Sequence, residues 1–232
     1  MSTTEIIERG NILFRYRGIF LSIVLILFFT LEINNPYKLL TLYNFSFGVI
    51  ISFFGFLFRC TTIGYIYNNT SGRNTFDGQI AAKLNIYGMY SIVRNPIYLS
   101  NFFIILGIFI ALGISIFTIL LSLIIFLFYK NIISAEEFFL KNKFGNNYSN
   151  WVSKTNVIIP NIFNYNKSTL NFSFLRILNR EYGTACALAL IYLVIYYINN
   201  DLVYGLLFIN YYLIFFIVFI YLIMRFLIKI FL

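Results

Sequence analysis

Histidine does not occur anywhere in this chain of 232 residues. Its absence excludes Ser-His and Cys-His catalytic pairs and any His-ligated haem or zinc. Cysteine is nearly absent too. Cys60 and Cys186 stand far apart, follow no metal-ligand spacing, and read as two free thiols near a reducing face. No metal site is expected. Charge is scarce, at 11% of residues against about 25% in soluble domains. There is no internal repeat. No small-residue cleavage site follows the first apolar stretch, so that stretch reads as a retained span rather than a removed signal.

What fills the chain is apolar: 60% of residues are hydrophobic and 21% aromatic, with a mean hydropathy of +0.83. This is the composition of an integral membrane protein. A hydrocarbon core about 30 Å thick takes roughly 17–25 helical residues. Apolar runs predict six spans, at about 17–33, 40–58, 97–113, 115–133, 183–199 and 202–224. The third and fourth are joined only by Leu112-Gly113-Ile114-Ser115 and form a tight helical hairpin. The fold class is therefore all-α: a polytopic membrane bundle, read as one domain over 1–232 with a core at 84–160 and an extra span pair at 183–224.

Basic residues set the orientation. Sixteen of the seventeen Lys and Arg fall in the N-terminal tail, the 59–96 loop, the 130–182 stretch and the C-terminal end, leaving Lys38 alone on the other side. The positive-inside rule puts the sixteen, and both termini, on the cytoplasmic face of an inner membrane. The net charge of +9 is then a matter of topology and anionic lipid head groups, and nucleic acid is not an expected partner. The expected span interiors hold no ionisable residue, which argues against a transporter.

The two long loops on that face hold the polar residues. One contains "NNTSGRNTFDGQ", rich in turn formers and expected to be irregular. The other opens with "SAEEFFLKNKFGNNYSNW", where Ser134 is placed to cap a helix that continues the fourth span. That helix carries Glu136 and Glu137 in its first turn and ends at Gly145. Pro160 and the Asn-rich "PNIFNYNKS" make a linker to the last spans. Adjacent carboxylates at a membrane edge repel each other and lose solvation. The residues leave two readings of them open. One is a solvated pair with Glu137 bridging to Lys141 at the i,i+4 spacing; the other is a buried cationic partner. They lie about 100° apart on a helix, so one can face the bundle and the other water.

Between the loops stands a polar knot at the mouth of a span: "SIVRNPIYLS", with Arg94, Asn95 and Pro96 side by side. Singly, Arg94 is an ordinary snorkelling cation, Tyr98 an interfacial aromatic and Pro96 a common first-turn residue. The linked arrangement is more specific. Gly88-Met89-Tyr90 leads into Arg94-Asn95-Pro96-Ile97-Tyr98, then the hairpin, then Glu136-Glu137-x-x-Leu140, Phe144-Gly145 and Tyr148. Over about 84–160 this resembles the isoprenylcysteine carboxyl methyltransferase and phospholipid methyltransferase families. Their core carries Gly-x-Tyr, Arg-His-Pro-x-Tyr, a hairpin, Glu-Glu-x-x-Leu and Phe-Gly-x-x-Tyr. Here Asn95 stands for the family's His and Ser100 for a Gly. A narrower likeness, in "SGRNTFDGQ", "LNIYGMYSIVRNPIYLSN" and "LNREYG", is to bacterial relatives that methylate the 1-phosphate of lipid A.

The resemblance implies a cytoplasmic pocket for S-adenosylmethionine. It implies that Leu84, Asn85, Gly88, Tyr90, Asn95, Pro96, Ile97 and Tyr98 wall the cofactor. Glu136 or Glu137 would meet its cationic end, with Asn95 supplying a hydrogen bond through its side-chain amide. Arg94, Glu136 and Glu137 are the implied catalytic residues, and a membrane lipid is the implied substrate. A sulfonium and an ammonium both favour carboxylate and aromatic neighbours. Arg59, Arg73 and Arg94, in one loop, are the candidate clamp for an anionic acceptor. A chain without His suits an acceptor that is already ionised, since an amine must first lose a proton to a tuned base. Other expectations are a prenylated or other carboxylate, a phospholipid amine, an NADPH-dependent membrane reductase with a basic cluster near Asn95, or a non-catalytic membrane protein.

Overall fold

The computed structural model describes residues 3–33, 35–39, 42–67, 70, 74–75, 78–79, 81–204 and 211–231. Its frame is six apolar helices: α1 (Thr3–Ile33), α2 (Leu42–Gly64), α4 (Pro96–Leu112), α5 (Ile116–Val152), α6 (Phe174–Tyr204) and α7 (Tyr211–Phe231). A one-turn helix, α3 (Met89–Ile92), precedes α4. The loop expected to be irregular contains a two-residue antiparallel pair, β1 (Asn74–Thr75) with β2 (Gly78–Gln79). Among the described residues, four helices are long and apolar enough to cross a bilayer, within Glu8–Ile33, Tyr43–Gly64, Ile116–Val152 and Phe174–Asn199. Pro96–Leu112 is a shorter apolar helix. The protein is a helical membrane bundle.

Two boundaries differ from expectation. Helix α6 runs unbroken to Tyr204, through the junction expected after residue 199. Ser134 caps nothing: it lies inside α5, where its Oγ donates to the Lys130 carbonyl at 2.9 Å. The actual cap is Ser115, whose side chain accepts from Phe117 N while Thr118 reaches back to the Ser115 backbone. Helix α5 therefore carries the fourth span straight out to the acidic pair. Gly145 then interrupts it with non-helical dihedrals (φ 51°, ψ −120°).

One end of the bundle is closed by polar contacts. Leu39 and Ile114 form an isolated antiparallel bridge, with N–H···O distances of 2.8 and 3.1 Å. Gly113 makes the hairpin turn at φ 143°, a conformation that a side chain disfavours. Glu32 is fully buried there. It accepts from Ser115 Oγ and from Asn35 Nδ2, and its main-chain carbonyl takes Lys38 Nζ at 2.7 Å. Burial lowers the Lys38 pKa, and Glu32 opposes that shift. The expectation of span interiors without ionisable groups thus fails at the end of α1. Asn199 Nδ2 donates to the Ala111 carbonyl at 2.9 Å, so α6 reaches this same end. Residues 81–95 and 153–173 lie at the other, where Gly88 N meets Asn166 O and Ser173 N meets Gly64 O.

Helices α2 and α4 make the closest contact. A Cβ on Gly48 would lie 2.4 Å from the Gly107 carbonyl, and one on Gly55 would lie 2.9 Å from the Ser100 carbonyl. Small residues at such a seam let backbones approach, which is how helices associate where no water is displaced. Ser100, in the place of the family's Gly, fits this seam. Its Oγ folds back on Ile97 O at 2.8 Å, and the facing residue is Gly55. Tyr192 ties α6 to the seam, with its Oη 2.6 Å from Ser52 Oγ and 2.9 Å from Gly48 O. Helix α1 packs along α5, Gly10 against Ala135 and Phe20 stacked on Phe128 with centroids 3.9 Å apart. That packing brings Phe14 and Arg17 to the neighbourhood of Glu136.

Candidate active site

The polar knot is held by the linker that follows α5. Arg94 N donates to Asn156 O at 2.8 Å, Asn161 N to Ile92 O at 2.9 Å, and Gly88 N to Asn166 O at 2.8 Å. Gly88 has φ 62°, so its place in the motif is explained by backbone shape. Pro96 occupies the first turn of α4 and is buried. Trp151, near the end of α5, donates its indole N–H to Tyr90 O at 2.9 Å. The linker expected merely to connect spans is thus a strap that fixes residues 88–95.

The acidic pair has partners on both sides. Glu137 receives Arg94 Nη1 at both oxygens, 3.2 Å each, and Asn95 Nδ2 at 3.4 Å. Arg94 Nε donates to Thr155 O at 2.8 Å. Glu136 accepts from Tyr98 Oη through Oε2 at 2.8 Å. Neither carboxylate is simply turned to water, and the cation facing Glu137 is Arg94 rather than Lys141. Asn95 differs from expectation in the same way. Its amide nitrogen serves Glu137 and the Val157 carbonyl, the latter at 3.2 Å. Both amide hydrogens are therefore taken by the protein, which leaves Oδ1 as the group Asn95 can offer a ligand.

These residues surround a cavity of about 270 Å³, near the lower edge of the roughly 300–1,000 Å³ of small-molecule sites. Of the residues expected at the site, Leu84, Asn85, Tyr90, Arg94, Asn95, Ile97, Tyr98, Glu136, Glu137 and Arg59 line it. Gly88 and Pro96 do not, because they shape the chain behind the wall. Arg73 lies outside the described residues. Asn85 is braced by Thr70 Oγ1 at 3.0 Å and by Tyr67 N at 3.3 Å.

Sequence reasoning missed several lining residues: Arg17 from α1, Asn101 from α4, Trp151 from α5, and Arg180 and Glu181 from α6. Glu181 is the most consequential. It is 2% exposed and forms a salt bridge to Arg59 Nε at 2.6 Å, while Arg59 Nη1 donates to Asn101 Oδ1 at 2.6 Å. Its signal was in the sequence, as a carboxylate beside Arg180 in the first turns of an apolar helix. Nothing local points from it to Arg59.

The chemistry of the wall fits a cationic nucleoside ligand. Glu136 Oε1 makes no hydrogen bond among the described residues and belongs to a side chain on the cavity surface. Tyr90, Tyr98 and Trp151 provide aromatic faces around it. Residues 43–147 match the model of the phospholipid methyltransferase family. This segment carries the knot, the hairpin and the acidic pair; α1, the strap, α6 and α7 lie beyond it. No curated protein matches the chain, and no solved structure does.

Proposed function

We propose that the protein is a methyltransferase of the inner membrane, using S-adenosylmethionine to methylate an acidic group of a membrane lipid at the cytoplasmic leaflet. The acceptor is a lipid phosphate of the lipid A type, and both termini are cytoplasmic. One observation carries the reading: Glu136 lines an aromatic-walled cavity, most of whose lining comes from the segment that matches a phospholipid methyltransferase family.

In this reading Glu136 meets the cationic end of the cofactor, with Tyr98 holding the carboxylate in place. Tyr90, Ile97 and Trp151 wall the remainder and exclude water. Arg94 and Glu137 neutralise each other and lock the start of α4 to α5. When bound, the cofactor supplies a methyl carbon that passes to the acceptor oxygen as the carbon–sulfur bond breaks, leaving a neutral thioether. A phosphate or carboxylate oxyanion needs no base for this, so alignment of acceptor and methyl carbon is the main task. That suits a chain with no histidine.

A phospholipid amine is the second reading, favoured by the description of the matching family. It requires Glu136 to take a proton. A reductase would need a basic cluster around Asn95, where Arg94 is already taken up by Glu137 and Thr155. Calorimetric titration of the purified protein with S-adenosylmethionine and with NADPH tests the proposal. Saturable heat with the first alone supports it, and heat with NADPH alone refutes it.

A further inference from the structure

Arg59 is held by two partners that do not use all of its donors. A guanidinium has five N–H donors in a planar fork. Nε is spent on Glu181 and one Nη1 hydrogen on Asn101. The other three make no hydrogen bond among the described residues, on a side chain that lines the cavity and is 19% exposed. Arg94 is bound through the same two nitrogens, Nε to the Thr155 carbonyl and Nη1 to Glu137, but it stands in the loop before α4 rather than within a helix. Two partners fix the direction of the Arg59 plane, and Nη2 is left to donate to an oxyanion.

Depth narrows the ligand. Arg59 lies five residues before the end of α2, roughly 7.5 Å along the helix axis. Ser173 N bonds to Gly64 O at 3.0 Å, so α6 begins at the level where α2 ends. The donors of Arg59 therefore sit below the helix ends, within the apolar bundle. Arg17 and Arg180 line the same cavity, as do Glu136, Glu137 and Glu181.

We propose that Arg59 is the seat of a phosphate oxyanion carried by a lipid, and that Glu181 and Asn101 are positioning residues for it. Identifying that anion as the methyl acceptor rests on the methyltransferase reading; the seat itself does not. Glu181 and Arg180 lie outside the matched residues 43–147, so α6 supplies what the matched segment lacks. Helix α6 is then a specificity element for the headgroup.

Native mass spectrometry of the detergent-purified protein tests this by measuring retained dioleoyl phosphatidic acid against dioleoylglycerol. Wild type should retain the phosphatidic acid selectively. Inorganic phosphate at equal concentration should leave it bound; displacement would mean that the seat serves a free anion and would overturn the lipid assignment. Arg59→Gln should lower retention roughly 10–100-fold, since hydrogen bonds to a charged group are lost. Because that variant leaves Glu181 buried without its cation, the double variant Arg59→Gln/Glu181→Gln keeps the test sound if the single one fails to fold. Glu181→Gln alone keeps the cation but loosens the fork. It should reduce the preference for phosphatidic acid with the diacylglycerol baseline unmoved, a change that a purely structural bridge would not produce. Unchanged selectivity in the folded double variant would make the bridge structural and end the proposal. A flat S-adenosylmethionine titration of wild type would sink the methyltransferase reading alone and leave the lipid result standing.

Discussion

Arg94 meets both carboxylate oxygens of Glu137 through a single nitrogen, at 3.2 Å each, and so joins the loop before α4 to the far end of α5. The pair is partly shielded, with the two side chains 15% and 25% exposed. It also orients Asn95 and engages the strap through Thr155. Arg94→Ala removes all of these donors and should cost about 1–3 kcal/mol of stability, the range for leaving shielded polar partners unpaired. Arg94→Lys should restore little, because an ammonium cannot reach Glu137 and the Thr155 carbonyl in the same fork. Thermal unfolding in one detergent checks both. A Lys variant as stable as wild type would contradict this account.

Glu136 and Glu137 should separate in binding experiments. Glu136→Gln removes the carboxylate that faces the cavity and should weaken S-adenosylmethionine binding roughly 10–150-fold. Glu137→Gln should act mainly through stability. Trp151 is the only tryptophan in the chain and lines the cavity, so its emission reports occupancy without a label. Titrations that leave the Glu136→Gln affinity unchanged would remove Glu136 from the proposed site.

Asn95 carries two structural hydrogen bonds, which changes what its replacement should do. Asn95→Ala leaves the Val157 carbonyl without its donor and should lower stability by about 1–3 kcal/mol. Asn95→His keeps a donor and restores the residue found in the resembling families. It should remain folded and bind cofactor, whereas the Ala variant should lose more in melting temperature than in affinity. An Ala variant of wild-type stability would show that the strap does not depend on this side chain.

The bundle was legible because long apolar runs with little charge have few other physical outcomes in a membrane protein. The hairpin was equally legible, since four residues between two apolar runs leave no other geometry. The knot and acidic pair could be read as a linked motif, but their internal pairing could not. Arg94 and Glu137 are separated by 43 residues, and Arg59 and Glu181 by 122. No periodicity encodes such contacts. The strap was hidden for a further reason: it works through main-chain bonds from Asn156, Asn161 and Asn166, to which residue type gives little clue. Asn-rich sequence looks like a linker whether or not its backbone is engaged.

Topology follows from the shared end of Leu39, Ile114 and Asn199. Reporter fusions at Asn35, Gly113 and Asn200 should all report one side of the membrane, the periplasmic side on the charge pattern. Fusions at Gly78 and Asn166 should report the cytoplasm. A cytoplasmic signal at Asn200 would separate α6 and α7 from this arrangement.

Whether the protein methylates a lipid is tested most directly by supplying S-adenosylmethionine with an isotopically labelled methyl group. The purified protein and the lipids of its source membrane would be incubated with it and analysed by lipid mass spectrometry. The account predicts that one class of phosphate-bearing lipid gains a single labelled methyl on its headgroup phosphate, and that the Glu136→Gln variant transfers far less. No labelled lipid from protein that shows a cooperative thermal transition would contradict it.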